Sequence, residues 1–227
     1  MPLVDLVVFD IAGTTVRDAD YVGLAVQSAF KDFDVELSIT TINPIMGLPK
    51  PIAIQQLLEA EGLDLSVDDI HRSFVEKMLD FYRTSDEVMP ISGVEKVFAE
   101  LRSRGVKVAL DTGFSHDITD AILDRLGWRT GVLDGWVSSD QVERGRPFPD
   151  MVLHHMRNFG IQDPLRVAKV GDAPVDLQEG TAAGCRFVVG VLSGTHNHEQ
   201  LLPYPHTHIV DSIVDLPPLL LADPATA

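Results

Sequence analysis

The 227-residue chain has one cysteine, Cys185. No internal disulfide can form, so the fold must hold by burial and polar pairing. Such cysteine usage fits a reducing compartment, the cytoplasm. Cys185 lies beside the apolar run Phe187 to Val191. Free cysteines are mostly buried, so it reads as a small core residue rather than a nucleophile. Positive charge is scarce: 18 Lys and Arg stand against 34 Asp and Glu, for a net charge of −16. That surface repels nucleic acid and anionic lipid, and neither is expected as a partner. No apolar run reaches the ~18 residues of a membrane span, and the N-terminus lacks the pattern of a secretory signal. The chain is expected to be soluble and unprocessed. It shows no internal repeat and no low-complexity tract. An acidic protein that binds an anion needs a local positive device, such as a metal ion, Lys, Arg or a helix N-terminus.

What is present is a 45% hydrophobic chain, enough for a sizeable core in one large domain or a domain with a smaller insert. The apolar run Leu3 to Phe9 ends abruptly at Asp10, followed by Ile11-Ala12-Gly13-Thr14-Thr15. A continuous apolar run reads as a strand buried on both faces. Asp10 then sits at its carboxyl end, where open parallel sheets place ligands. Gly13 permits a tight turn, and Thr14 and Thr15 offer hydroxyls and N–H groups. Residues 17–88 read as helices only: Tyr21 to Phe33, Pro51 to about Ala60, and Val67 to Tyr82. Between the first two, Asn43-Pro44, Met46-Gly47-Leu48 and Pro49-Lys50-Pro51 break regular structure.

Strands and helices alternate from there on. Pro90-Ile91-Ser92-Gly93 opens a helix that Gly105 stops. Strands are expected at Val106–Leu110, Trp136–Ser138, Arg166–Val170, Phe187–Val191 and, weakly, His208–Val210. Helices are expected at Asp117–Leu126, 149–159, Val175–Ala183 and near Glu199. This alternation predicts an α/β fold with a parallel sheet covered on both faces. The core is expected at 1–16 and 89–227 and the helical insert at 17–88, with hinges near Thr15–Asp20 and Glu87–Gly93.

Three strand ends carry chemistry. The first ends in Asp10, the second in Leu110-Asp111-Thr112-Gly113, and the fourth in Val170-Gly171-Asp172-Ala173-Pro174-Val175-Asp176. Gly145-Arg146-Pro147 lies between the last two. In a parallel sheet these ends converge on one crevice. Oxygen ligands suit Mg²⁺, which takes one or two carboxylates plus water and phosphate oxygens. Asp10 is then a candidate nucleophile, Asp172 a metal ligand, and Asp176 a further ligand or a support behind it. The Thr112 hydroxyl and Gly113 N–H suit phosphoryl oxygens, and Arg146 can neutralise Asp10 and the phosphoryl group. Taken singly, the two aspartates read as helix caps and Arg146 as a turn residue. Their occurrence at successive strand ends is what points to a site.

As a set, Asp10-Ile11-Ala12-Gly13-Thr14, Thr112-Gly113, Arg146 and Gly171-Asp172 with Asp176 resemble the four motifs of the haloacid dehalogenase superfamily of phosphotransfer hydrolases. The resemblance covers essentially the whole chain. It implies a Rossmann-like core with a helical cap and Mg²⁺ as cofactor, with Asp10 as nucleophile. Metal ligands would be Asp10, the Ala12 carbonyl, Asp172 and Asp176. A small phosphorylated or phosphonate metabolite would meet Ala12, Gly13, Thr14, Thr112, Gly113, Phe114 and Arg146 on the core side, and Met46 on the cap.

One departure is informative. Most phosphatases of the superfamily carry a second Asp two residues after the nucleophile, to protonate the leaving alkoxide and activate water. Here that position is Ala12. Met46-Gly47-Leu48-Pro49-Lys50 resembles the cap motif of the phosphonatase (phosphonoacetaldehyde hydrolase) branch. That branch also has Ala at this position and Arg in the third motif. There the cap lysine forms a Schiff base with an aldehyde, and carbon becomes the leaving group. For that role Lys50 must be partly neutral, through burial or a nearby cation. Lys50 also reads as a solvated loop charge, or as a point charge on the phosphate of an ordinary ester. The branch's His three residues after the lysine is Ala53 here, the Tyr after Thr112-Gly113 is Phe114, and a linker Cys is replaced near Asp20. His196, His198, His206 and His208 lack regular ligand spacing and read as a polar loop, and His116 as a cap or surface residue. Relatives of this type dimerise through their caps, and the apolar face of Tyr21 to Phe33 is a candidate for that contact.

Overall fold

Four apolar residues make the central strand, β1 (Leu6–Phe9), and all four are buried. In the computed structural model, which describes residues 2–221, β1 is followed by the four α-helices of the insert. These are α1 (Tyr21–Lys31), α2 (Ile39–Ile42), α3 (Lys50–Glu61) and α4 (Val67–Thr84). Then come α5 (Val94–Ser103), β2 (Lys107–Thr112), α6 (His116–Leu126), β3 (Gly135–Ser138), α7 (Asp150–Phe159) and β4 (Val167–Gly171). The chain goes on through α8 (Pro174–Ala182), β5 (Phe187–Val191), α9 (His198–Leu201), β6 (His208–Val210) and α10 (Leu216–Leu221). The strands form one parallel sheet of order β3-β2-β1-β4-β5-β6. This is the expected Rossmann-type α/β fold with a helical insert. The chain reverses direction across the sheet between β1 and β4, which opens a crevice at their carboxyl ends.

Alternation along the strands sorts the core into two layers. Val7, Phe9, Val108, Leu110, Ala168 and Val170 join the cluster that takes in Val97, Phe98, Leu101, Ile118 and Ile122 of α5 and α6. Leu6, Val8, Ala109 and Val167 point the other way, onto Val152 and Met156 of α7. Phe9 lies opposite Leu110 and Val170. Asp10, Asp111 and Gly171 therefore come level at one edge of the sheet, on the α7 side.

The insert packs on itself. α1 buries Val22, Val26, Ala29 and Phe30 and α4 buries Ile70, Phe74, Met78 and Tyr82, all within the first layer's cluster. The apolar face of α1 named above for a dimer contact is thus covered within the chain. Its two connections to the sheet run side by side: Val16 bridges Pro90, Arg17 N–H donates to Met89 O at 3.0 Å, and Ile91 N–H to Thr15 O at 2.9 Å.

Those bonds explain one boundary. The helix expected to open at Pro90 starts only at Val94, because residues 90–91 are spent on pairing and Gly93 sits at a left-handed φ of 87°. Residues 38–51 are also more regular than expected. Ser38 caps α2 by accepting from Thr41 N–H at 3.1 Å. α3 starts at Lys50, one residue before the expected Pro51, with Pro49 at its N-cap. Among the described residues, no helix is long and apolar enough to cross a membrane. Cys185 is partly exposed, yet its apolar surroundings push the thiol up to about 12, so it is no nucleophile.

Phe98 joins the sheet to the helical layer. Its ring lies 5.2 Å from Phe9 and 5.5 Å from the buried Trp128. Phe98→Ala should cost about 3–5 kcal/mol of folding stability, read as a lowered urea midpoint with unchanged slope.

Candidate active site

A small cavity opens at the carboxyl edge of β1, β2 and β4, between the sheet and the insert. The core lines it with Asp10, Ala12, Thr112, Gly113, Phe114, Arg146 and Asp172. The insert side adds Met46, Gly47 and Lys50, and the stretch before α1 adds Asp18. Nine of the residues predicted to form the site meet here. Gly13, Thr14 and Asp176 stand just behind them. Gly13 turns the chain at φ 85° and closes it with an N–H bond to Val16 O at 2.8 Å. The Thr14 hydroxyl donates to Asp172 Oδ1 at 3.4 Å. His116 lies outside the cavity lining, where it opens α6 and donates its N–H to Asp140.

Below the cavity floor lies a fully buried ion network. Arg146 Nη1 donates to Asp10 Oδ1 at 2.6 Å, and its Nε to Glu179 Oε2 at 3.1 Å. Nη2 bonds Asp111 through both the carboxylate and, at 3.0 Å, the carbonyl. Lys169 pairs with Asp111, with Asp176 Oδ1 at 3.0 Å and with Glu179 Oε2 at 3.3 Å. Two cations thus share four carboxylates. Strand alternation puts Asp111 and Lys169 on the α7 side with Asp10, and α8 supplies Asp176 and Glu179. Glycines make the room. A Cβ on Gly171 would lie 2.0 Å from Asp176 Cγ, and one on Gly180 would lie 2.7 Å from Lys169 Cβ.

The network fixes charge states. Burial alone would raise Asp111, but Lys169 and Arg146 hold it near 2. Burial and then the Asp111 charge lift Glu179 to about 8, so it carries a proton at neutral pH. Burial lifts Asp10 to about 6 against the pull of Arg146, which leaves it mostly ionised at pH 7. Asp172 is pushed well up by burial and then by the charge on Asp10. It is held by Thr195 N–H at 2.7 Å.

Oxygens of Asp10, Asp111 and Asp176 lie within 4.8 Å of one another, a spacing able to hold a metal ion. Arg146 and Lys169 already neutralise that cluster, so a metal can share Asp10 only from the cavity side. There Asp10 and Asp172 stand as buried carboxylates that repel each other beside Ala12. An all-oxygen donor set of this kind fits a small hard cation.

Lys50 is 3% exposed. Its Nζ donates to Leu48 O at 3.4 Å and lies 5.6 Å from the Phe114 ring centroid and 5.9 Å from that of Phe74. Burial lowers its pKa to about 8, while the charges of Asp10 and Asp18 oppose the shift. The solvated-loop reading of Lys50 is thereby excluded. Roughly a tenth of Lys50 is neutral at pH 7, against a few parts in ten thousand for an ordinary lysine.

The segment carrying Lys50 is pressed onto the core. A Cβ on Gly113 would lie 2.8 Å from both Gly47 O and Leu48 O. One on Gly145 would lie 2.6 Å from Pro49 Cγ, and one on Gly47 would lie 2.6 Å from Val175 Cγ2. Three glycines therefore allow residues 47–49 to seat on the loops after β2, before Arg146 and after β4.

The family profile for haloacid dehalogenase-like hydrolases matches residues 4–184. The chain belongs to this family. It is a haloacid dehalogenase-like hydrolase, and the matched span includes the paired Asp10 and Arg146 described above. Phosphonoacetaldehyde hydrolase of Bacillus cereus is 28% identical over 204 residues, spanning 85% of this chain and 77% of that protein. The phosphonoacetaldehyde hydrolase-like protein from Oleispira antarctica shares the fold with a TM-score of 0.82 at 23% identity, covering 96% and 91% of the two chains. CbbY from Rhodobacter sphaeroides, solved in complex with phosphate, does so with a TM-score of 0.80 at 19% identity, covering 94% and 96%.

Asp18, Lys169 and Glu179 hold no role in the sequence reading. Lys169 did leave a signal, as a charge inside the otherwise apolar Val167-Ala168-Lys169-Val170. Asp18 and Glu179 left none: the cations that Glu179 meets come from distant elements, and Asp18 enters the cavity only through the fold of the insert.

Two outcomes follow. Lys169→Met leaves Asp111, Asp176 and Glu179 facing Arg146 alone. It should cost about 3–5 kcal/mol in urea unfolding, and less as falling pH protonates the stranded carboxylates. Acylation of Lys50, followed by peptide mass mapping, should show a half-point near pH 8. Asp10→Asn removes a charge that keeps the proton on Lys50, so the half-point should fall further.

Proposed function

We propose that this hydrolase is a Mg²⁺-dependent, phosphonatase-type enzyme. It cleaves the carbon–phosphorus bond of a small aldehyde phosphonate through an imine on Lys50 and a phosphoenzyme on Asp10. The observation that carries this reading is a buried lysine with a pKa near 8 that shares one cavity with a buried aspartate, with Ala12 where a general acid would stand. The likeness to phosphonoacetaldehyde hydrolases supports it.

Neutral Lys50 adds to the aldehyde carbon, water leaves, and the protonated imine becomes an electron sink. Arg146 holds Oδ1 of Asp10, so attack on phosphorus falls to Oδ2. The carbon–phosphorus bond breaks and its electron pair passes into the carbon chain as an enamine. No alkoxide forms, so no acid is needed at position 12. Water then cleaves the acyl phosphate to release phosphate, and the enamine is protonated at carbon and hydrolysed to free Lys50. The Thr112 hydroxyl accepts from Phe114 N–H at 3.2 Å, which leaves its own proton for a phosphoryl oxygen. Residues suited to hold Mg²⁺ are Asp10, Asp172 and the Ala12 carbonyl, with Asp176 behind them; the ion supplies charge that screens the phosphoryl oxygens from the attacking carboxylate. Residues 17–88 act as a cap, hinged at the paired linkers, that opens for substrate and closes through the 47–49 seat to exclude water.

A second reading is a phosphatase acting on a small phosphate monoester, with Lys50 binding phosphate as a point charge. It is favoured by the charged majority of Lys50 at pH 7 and by the phosphate held in a protein of the same fold.

Borohydride with phosphonoacetaldehyde should trap an adduct that maps to Lys50. Lys50→Arg should lose trapping and at least about 10²-fold in phosphate release, and Asp10→Asn should lose turnover altogether. Hydrolysis of esters that borohydride leaves untouched, with Lys50→Arg retaining most of its rate, would instead establish the phosphatase.

A further inference from the structure

The cavity is lined by five charged groups: Asp10, Asp18, Lys50, Arg146 and Asp172. Three are tied down. Asp10 and Arg146 hold each other, and Asp172 is held by Thr14 and Thr195. Lys50 and Asp18 remain. Asp18 accepts one weak backbone bond, from Val22 N–H at 3.3 Å. Among the described residues no cation lies within ion-pair distance of it.

We propose that Asp18 is the proton carrier for Lys50, a catalytic residue of the imine steps. The proposal rests on the phosphonatase reading above. Imine chemistry needs a group that takes a proton from the ammonium and returns it to the departing oxygen. Ala12 has no such group, and Asp10 is reserved for phosphorus. Asp18 lines the same cavity as Lys50 and, after Asp10, is the largest charge keeping the lysine protonated.

The protons balance. Because Lys50 lies beyond ion-pair distance of Asp18, the transfer runs through one water in the shared cavity: the Asp18 carboxylate takes one proton from the Lys50 ammonium by that relay. The amine adds to the carbonyl carbon, and the addition nitrogen passes a proton to the new alkoxide. The protonated Asp18 then gives its proton to that hydroxyl. Water leaves with the carbon–oxygen electrons while the nitrogen pair forms the C=N bond. The sum is ammonium plus aldehyde to protonated imine plus water, with Asp18 restored as carboxylate.

The surroundings suit a group that both gains and gives a proton. Burial raises Asp18, against the Val22 N–H bond and the nearby Tyr21 N–H. Asp20 and Tyr21 flank it on its own stretch, Lys50 faces it from α3, Tyr82 from α4, and Asp172 from beyond β4.

The test turns on a difference of sign. Removing the Asp18 charge lowers the Lys50 pKa, so a purely electrostatic role predicts faster imine formation in Asp18→Asn. Proton transfer predicts slower formation. The measurement is the rate of borohydride trapping of phosphonoacetaldehyde on Lys50 between pH 6 and 9, beside the acetylation rate of Lys50 as a check on its accessibility. Expected for Asp18→Asn is trapping slowed by about 10² or more, acetylation at least as fast as wild type, and partial return of trapping in Asp18→Glu. Trapping as fast as or faster than wild type overturns the proposal and leaves the phosphonatase reading intact. Trapping and acetylation slowed together also overturn it, since Asp18 then acts on the shape of the site alone. No adduct in the wild-type enzyme overturns both.

Discussion

The buried guanidinium of Arg146 is the interaction on which the site depends. It reaches Asp10 from β1's end, Asp111 from β2 and Asp176 and Glu179 from α8, and so ties three elements to one point. A buried ion pair is weak grounds for stability, because desolvation offsets its Coulomb gain. Its value here is geometric. Asp10 is held ionised and in one orientation, with one oxygen engaged and the other left for chemistry. Lys169 makes the arrangement tolerable, since without it a single cation would face four carboxylates in a dry interior. Glu179, protonated near neutral pH, reduces the excess negative charge.

A second constraint is backbone proximity. The loop that carries Lys50 seats on the core only where Gly113 and Gly145 present no side chain, and where Gly47 clears Val175 and Ala173. The same approach that closes the cavity takes the lysine out of water. The seating of residues 47–49 on the core and the lowered pKa of Lys50 therefore share one cause, the burial of the ammonium.

Much of this was legible in the residues. Apolar runs placed β2, β4 and β5 within two residues, because a strand buried on both faces must be apolar throughout; the run from Leu3 overshot β1, which starts at Leu6. Asp10, Thr112, Arg146 and Asp172 were legible because polar residues at the carboxyl ends of such runs have one crevice to occupy. Lys50 stood out beside Ala12 by chemical argument and resemblance, but its burial did not, since a lysine between prolines is usually solvated. The start of α5 at Val94 and the helical turn at Ile39–Ile42 were not read, because each depends on hydrogen bonds rather than on periodicity.

By itself the sequence determined the parallel α/β framework, the helical insert after the first strand and the acids at the strand ends, since hydrophobic period and run length act locally. Tertiary structure alone decided which acids keep their charge. Asp111 is held low by Lys169 and Arg146 while burial and the Asp111 charge lift Glu179, although both are buried carboxylates sharing the same two cations, and nothing in their immediate sequence distinguishes them. Electrostatics in a dry interior is set by distances between residues far apart in the chain, and those exist only once the strands, α8 and the insert have come together.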